Sequence, residues 1–174
     1  MPRRTARLTA AGLGIFVMAI SAQNPPVEFR AFTVIGSIVR TTNAREMSGK
    51  DSTIGPLWDR YMHGGAEAIP GVIDQDTTYA VYSSYASDAN GPYDLTLGKS
   101  VHPEQPAPAG MRSIHIPAER YLVFGATGNS PDAIKTAWGN VYDYFAHHTE
   151  HHRAYTIDFE KYSPSGIRLF IAIR

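Results

Sequence analysis

Apolar positions divide the chain into two stretches in which strands and a helix follow one another in the same order. In the first stretch, residues 28–40 are rich in β-branched and aromatic side chains and predict a strand. Apolar residues then recur at helical spacing and predict a short helix over residues 54–62. Residues 77–85 and 93–101 are again β-type segments, and the Asn90-Gly91 pair between them favours a hairpin.

The second stretch repeats this order. Residues 112–127 predict a strand, and Ser130-Pro131-Asp132 is typical of a helix start. The apolar stripe that follows extends the predicted helix to Phe145. Residues 154–162 and 167–174 then predict two strands that are joined by a turn.

Two short matches indicate that the second stretch is a copy of the first. Ile54-Gly-Pro-Leu-Trp58 has the same spacing as Ile134-Lys-Thr-Ala-Trp138. In addition, Tyr82-x-x-Tyr85 resembles Phe159-x-x-Tyr162. We therefore infer that one β-α-β-β unit has been duplicated.

The duplicated units predict one α+β domain over residues 23–174, with pseudo-repeats at about residues 28–101 and 112–174. The Pro- and Gly-rich residues 102–111 connect the repeats, because they sustain neither a helix nor a strand ladder. We expect a mostly antiparallel sheet with two helices on one face and a groove between them. A groove of this kind is a usual place for a small-molecule site.

A short segment before the repeats is positively charged and then apolar. Arg3, Arg4 and Arg7 precede an uncharged, mostly apolar run over residues 8–20, and small residues follow that run. This pattern is typical of a secretory signal peptide, which we expect to span residues 1–22 and to be cleaved. The protein would then be exported to the periplasm or secreted, with no stable membrane span after cleavage. If the leader is not a signal, the alternative location is the cytoplasm.

Composition limits the chemistry that the chain can perform. Lysine plus arginine equals aspartate plus glutamate at 16 each, which does not predict a basic surface, and we expect no nucleic-acid partner. The absence of cysteine excludes disulfides and thiolate chemistry. No Gly-x-Ser-x-Gly, His-Glu-x-x-His or phosphate-loop motif occurs, and we expect no cofactor. Composition leaves the oligomeric state open.

Several short motifs between about Glu28 and Arg174 resemble those of one family when they are taken together. They are Phe32-Thr-Val-Ile-Gly36, Val39-Arg-Thr-Thr-Asn-Ala-Arg-Glu-Met47, Ile54-Gly-Pro-Leu-Trp58, Tyr79-Ala-Val-Tyr82, Pro108-Ala-Gly-Met111, Ala154-Tyr-Thr-Ile-Asp-Phe-Glu160 and Phe170-Ile-Ala-Ile173. The family is that of the GyrI-like small-molecule-binding domains, which include the effector-binding domains of AraC-type and MerR-type regulators. The chain is most similar to free-standing members, including integron cassette proteins that bind cationic drugs. It contains no helix-turn-helix segment, which argues against a transcriptional role.

The resemblance implies a groove lined by aromatic side chains and a buried glutamate that faces a cationic ligand from the penultimate strand. Glu160, within Asp158-Phe-Glu-Lys-Tyr162, occupies the matching motif. We therefore expect binding of small amphipathic or aromatic molecules, with cations favoured. A solvent-facing charge is the alternative for Glu160, and core packing is the alternative for the aromatic residues. The candidate ligand-binding residues are Glu160, Trp58, Tyr82, Tyr93, Trp138, Tyr142 and Tyr162.

A hydrolase is the first alternative function. Some GyrI-like proteins hydrolyse strained cyclopropane-containing compounds, so the resemblance implies this hydrolase activity as an alternative here. A buried Glu160 would then act as general acid or base, and Tyr142 or Tyr162 would stabilise the developing charge. Because other catalytic motifs are missing from the sequence, we favour binding over catalysis.

A metal-binding or structural exported protein is the second alternative. The chain has four closely spaced histidines, two pairs of which have the i, i+4 spacing that puts both imidazoles on one helical face. They are His147, His148, His151 and His152. Because one turn of helix supplies two ligands per face and a metal site needs at least three, we predict no metal site.

Overall fold

The computed structural model describes residues 23–128 and 130–174, and within them eight strands form one sheet that is accompanied by three α-helices. The predicted signal peptide lies outside the described residues. In chain order the elements are β1 (Gln23–Phe29), β2 (Phe32–Thr41), α1 (Asn43–Ser48), α2 (Ile54–Arg60) with a π-helical turn (Tyr61–Gly65), β3 (Thr78–Ser83), β4 (Tyr93–Val101), β5 (Arg112–Ile116), β6 (Glu119–Gly125), α3 (Pro131–His147), β7 (Asp158–Ser163) and β8 (Gly166–Ala172).

The order of strands in the sheet reveals a pseudo-two-fold axis. The order is β1-β6-β8-β7-β3-β4-β2-β5, and every neighbouring pair is antiparallel. The strands of the first repeat, β1 to β4, correspond one by one to β5 to β8 of the second. When each strand is replaced by its counterpart, the same order is read from the opposite edge of the sheet. The axis therefore passes between the central strands β3 and β7. This topology confirms the predicted α+β fold built from duplicated β-α-β-β units.

Each long strand predicted at the start of a repeat is in fact two strands. The first is interrupted at Arg30-Ala31 and the second at Pro117-Ala118. Proline lacks the backbone N–H that a ladder needs, which explains the second interruption. At each break the chain changes its pairing partner in the other repeat, because β1 pairs with β6 whereas β2 pairs with β5.

Three boundaries also differ from the prediction. The first strand begins at Gln23, before the predicted start at residue 28, and it includes two prolines because β1 is an edge strand and tolerates them. Residues 41–53, for which no element was predicted, contain α1, whose start is capped by the Thr42 hydroxyl and whose end is capped by Gly49 at a φ of 67°. Strand β7 begins at Asp158, four residues later than predicted.

The sheet is buried on both faces. The helices cover one face, where Leu57 of α2 and Val141 of α3 are fully buried. The opposite face holds an aromatic cluster in which Phe159 stacks on Phe170 at 4.5 Å between ring centroids. Phe29, just before the first strand break, packs on Phe159 at 5.3 Å. Among the helices of the described residues, none is long and apolar enough to cross a membrane.

Gly36 of β2 and Gly98 of β4 form a directly opposed pair where the two backbones come very close. A Cβ atom on Gly98 would lie 2.0 Å from the carbonyl oxygen of Ile35. Alanine at this position would force the strands apart, so we expect Gly98→Ala to destabilise the fold by about 1–3 kcal/mol in urea unfolding. As a control, Gly139→Ala in α3 meets nothing within 4 Å and should stabilise the fold by about 0.5–1 kcal/mol. Equal effects of the two changes would contradict this account.

Candidate functional site

The two central strands place an acidic residue beside the pseudo-two-fold axis. Side chains alternate along a strand, so Glu160 and Tyr162 of β7 both lie on the helix-covered face. Ala80 and Tyr82 occupy the equivalent positions of β3, each being the third and the fifth residue of its strand. Ala80 pairs directly with Glu160. The small side chain of Ala80 leaves room for the carboxylate on its neighbour.

The carboxylate of Glu160 is 2% exposed and accepts three hydrogen bonds. The hydroxyl of Tyr82 donates to Oε1 at 2.8 Å, and the indole Nε1 of Trp138 donates to the same oxygen at 2.6 Å. The hydroxyl of Tyr162 donates to Oε2 at 2.5 Å. All three donors are uncharged side chains, and within the described part of the chain Glu160 forms no ion pair. The site therefore contains a buried acid without a basic partner.

Two pairs of aromatic rings with matching geometry include the three donors to this carboxylate. Trp58 of α2 packs on Tyr162 with 4.8 Å between ring centroids, and Trp138 of α3 packs on Tyr82 at 5.1 Å. Each tryptophan thus contacts the tyrosine of the other repeat. Tyr82 is equivalent to Tyr162, so the sequence alignment of Tyr85 with Tyr162 was wrong. The tryptophan alignment agrees with the positions of α2 and α3.

Burial governs the protonation of this cluster. Desolvation raises the pKa of Glu160, and the three hydrogen bonds oppose this shift only partly. Desolvation and then the charge of Glu160 also raise the pKa values of Tyr82 and Tyr162. Both tyrosines therefore remain neutral hydrogen-bond donors at physiological pH.

Tyr93 and Tyr142, the remaining aromatic candidates, lie beside these pairs. Tyr93 packs on Tyr82 at 5.4 Å, and Tyr142 packs on Trp138 at 6.0 Å. Asn43 of α1 links them, because it accepts a hydrogen bond from the hydroxyl of Tyr93 at 3.1 Å and donates one to that of Tyr142 at 3.0 Å. The structure thus brings all seven residues predicted from the sequence into one cluster.

A second buried acid lies on the same face and was not predicted. Asp158 is fully buried, and its Oδ2 accepts hydrogen bonds from Arg153 at 2.5 Å and from the hydroxyl of Tyr85 at 2.8 Å. Its Oδ1 accepts from the backbone N–H of Ala172 at 2.8 Å. Asp158 raises the pKa of Arg153, although burial alone would lower it. The sequence signal was the alternation of Asp158 with Glu160, which places both acids on one face.

Side chains fill the expected groove between the helices. The carboxylate of Glu160 is buried and Trp58 packs on Tyr162, so a ligand reaches this group only when rings move aside. A cavity of about 320 Å³ lies on the opposite face of the sheet, where Lys161 and Phe170 line it. The aromatic content of the chain explains the closed groove, because the rings of the two repeats interlock across the axis.

The histidine segment lies at the end of α3 and beyond it. Helix α3 ends at His147, so the i, i+4 pairs with His151 and His152 are not on a helical face. The Nδ1 atoms of His147 and His148 lie 2.9 and 3.0 Å from the backbone carbonyls of Asp143 and Tyr144. Across residues 23–128 and 130–174, no three His, Asp or Glu side chains converge as a metal site would require.

Comparison with known families places this geometry in context. Residues 27–173 match the Cass2 family, which is described as integron-associated effector binding protein. The chain belongs to this family. Membership confirms the resemblance to effector-binding domains, and small-molecule binding is the function that it supports.

This Cass2-family protein is similar to two solved structures and to a curated sequence. The integron cassette protein VCH_CASS2, from the mobile metagenome of Vibrio cholerae, has a TM-score of 0.73 and 33% identity, over 86% of this chain and 95% of that one. SAV2435, in a structure bound to tetraphenylphosphonium, has a TM-score of 0.66 and 14% identity, over 86% and 93% of the two chains. YobU of Bacillus subtilis (strain 168) is 26% identical over 144 residues, which are 78% of this chain and 88% of YobU.

The raised pKa of Glu160 predicts how its removal affects stability. Folding disfavours the ionised form of Glu160. The contribution of this group to the free energy of unfolding is therefore fully present below its ordinary pKa and is lost as the pH rises through the raised pKa. Glu160→Gln should therefore have a higher Tm than the wild type at about pH 8, and the difference should vanish towards about pH 4. Circular dichroism melts across this range measure the effect.

Glu46 supplies a control of opposite sign. Burial opposes the ionisation of Glu46, but hydrogen bonds from Thr41, Thr53 and Ile54 outweigh it and lower the pKa of this carboxyl. Glu46→Gln should therefore lower the Tm near neutral pH, with a smaller effect in acid. A Glu160→Gln variant that is less stable than the wild type at every pH would contradict the assigned pKa shift.

Proposed function

We propose that this Cass2-family protein binds small amphipathic or aromatic cations, with the carboxylate of Glu160 as the charged contact. The observation that carries the proposal is the buried acid held by three neutral donors and no base. A negative charge in a partly dry site attracts a cation more strongly than the same charge in water. The ligand would supply the positive charge that the protein does not place beside Glu160.

The stability cost of Glu160 supports a functional role over a purely structural one. A buried ionised group without a counter-charge destabilises the fold. A glutamine would accept the hydrogen bonds of Tyr82 and Trp138 through its carbonyl oxygen without carrying a charge. An acid at this position is therefore costly for stability and useful for recognising a cation.

The aromatic residues supply the second part of the recognition. Tyr82, Trp138 and Tyr162 contact the carboxylate, and Trp58 packs on Tyr162. The faces of such rings attract organic cations through their quadrupole. Their flat surfaces also offer dispersion contacts to aromatic ligands of varied shape. Tetraphenylphosphonium, the ligand of the structural neighbour SAV2435, has both a diffuse positive charge and phenyl rings, and it is a suitable first probe.

Binding requires part of the cluster to open, and α2 is the element best suited to move. It has seven residues, of which Leu57 is fully buried. It then passes into a π-helical turn in which His63 and Gly64 have non-helical dihedral angles. Trp58 covers Tyr162 from this helix, whereas Trp138 is tied to Glu160 by its hydrogen bond. A movement of α2 would take Trp58 away from Tyr162 and leave all three donors to the carboxylate in place, because they lie on β3, α3 and β7.

Calorimetric titration with tetraphenylphosphonium and with the neutral triphenylmethanol tests the role of Glu160. We expect the wild type to bind the cation, and Glu160→Gln to lose about 1–3 kcal/mol of its binding free energy, because one charged partner is lost. Affinity for the neutral compound should change little. Since tetraphenylphosphonium does not titrate, wild-type affinity should also fall as the pH drops through the raised pKa of Glu160.

Glu119→Gln is the matched control for this titration. Glu119 also accepts a hydroxyl hydrogen bond, from Thr156 at 2.9 Å, but it lies in β6 on the side of Tyr121, which belongs to the opposite face. Its replacement should leave binding of both compounds unchanged. The proposal fails if the wild type binds no cation, or if Glu160→Gln binds tetraphenylphosphonium as tightly as the wild type does.

A further inference from the structure

Beside the Glu160 cluster, the pair formed by Arg153 and Asp158 leaves one strong donor unused. The side chain of Arg153 is 5% exposed, and its Nε has no hydrogen-bond acceptor among the described residues. The oxygens of Asp158 are already engaged by Arg153 itself, Tyr85 and Ala172. Buried polar groups are normally hydrogen-bonded, and an orphaned N–H of a guanidinium is costly. An acceptor oxygen supplied by another molecule would satisfy it.

The guanidinium of Arg153 is fixed between aromatic rings. Its Cζ lies 4.5 Å from the ring centroid of Tyr155 and 5.8 Å from that of Trp138. Tyr155 has a φ of 53°, in the left-handed region that a bulky side chain rarely adopts. This backbone places the ring of Tyr155 under the guanidinium, and Tyr85 packs against the same ring at 5.6 Å. Such strain is concentrated at functional sites in proteins.

Trp138 connects this group to the carboxylate of Glu160. Its indole Nε1 donates to Glu160 at 2.6 Å, while the face of its ring lies next to Arg153. A ligand that stacks on Trp138 with its positive centre at Glu160 would therefore extend towards Arg153. The acidic and the basic group would then contact opposite ends of one small molecule.

We propose that Arg153 recognises an acceptor oxygen, preferably a carboxylate, on the same ligand whose cationic centre lies at Glu160. The proposal rests on the proposed function and narrows its ligand class to amphipathic cations that also carry such an oxygen, including zwitterions. Arginine suits this role because its planar guanidinium holds the Nε–H in a fixed direction, and its charge strengthens a hydrogen bond to a carboxylate. Lysine in the same place would keep the charge but lack that directed donor.

A matched pair of ligands tests this assignment in calorimetric titrations. Butyltriphenylphosphonium and (4-carboxybutyl)triphenylphosphonium share the cationic centre and the three phenyl rings, and they differ in a terminal carboxylate. We expect the wild type to bind the carboxylated compound about tenfold more tightly, as one charge-assisted hydrogen bond allows. In Arg153→Lys the ratio of the two Kd values should fall to about one, because lysine preserves the pairing with Asp158 but not the Nε donor.

Arg40→Lys is the control, since it makes the same change in another arginine–aspartate pair. Arg40 donates to Asp94 at 2.9 Å with a half-exposed side chain, and its hydrogen-bond acceptors, Asp94, Ser84 and Pro92, are not among the seven residues of the Glu160 cluster. This variant should keep the wild-type ratio. An independent readout is the Nε–H resonance of Arg153 in the wild type, which should shift with the carboxylated ligand and much less with the butyl compound.

The outcomes separate the two proposals. If the wild type binds butyltriphenylphosphonium but shows no preference for the carboxylated compound, the role of Arg153 is wrong and the role of Glu160 stands. A preference that persists in Arg153→Lys, or an unshifted Nε–H resonance, also overturns the role of Arg153. Failure of the wild type to bind either compound overturns both proposals.

Discussion

The carboxylate of Glu160 ties the two repeats of the sheet together. Tyr82 belongs to the first repeat and donates to one carboxylate oxygen, and Tyr162 belongs to the second and donates to the other. Trp138 reaches the same group from α3. Because these donors lie on three different elements, the direction of the carboxylate depends on how the repeats are placed relative to each other. A movement of α2 would leave these three hydrogen bonds in place, because none of the donors lies on that helix.

Duplication built a symmetric aromatic frame, and one substitution makes it asymmetric. The tryptophan and tyrosine of each repeat have counterparts in the other, but the counterpart of Glu160 is Ala80, which lies directly opposite it. Two acids at these paired positions would repel each other in a buried site and would not both ionise. A single acid between symmetric rings gives the site one negative charge. The ion pair of Arg153 and Asp158 lies on one side of the aromatic rings, so the two sides of the site also differ chemically.

The sequence predicted the order of elements because hydrophobic periodicity is a local signal. It predicted the duplication because the same Ile-to-Trp spacing occurs before Trp58 and before Trp138. Sequence analysis missed the strand breaks, such as the one at Pro117. At each break the chain changes the strand with which it pairs, and that pairing involves residues far away in the sequence. Glu160 was selected through family resemblance, since a lone strand acid has no distinguishing local pattern. Arg153 was missed because its contacts depend on a turn at a positive-φ tyrosine, which carries no periodicity.

A crystal structure of the complex with tetraphenylphosphonium would test the central claim most directly, which is that a cation binds between the aromatic rings at Glu160. We predict the phosphonium centre beside the carboxylate, with Trp58 displaced from Tyr162 and with the hydrogen bond from Trp138 to Glu160 retained. A ligand bound elsewhere, for example in the cavity beside Lys161 on the opposite face, with the Glu160 cluster closed, would contradict the account.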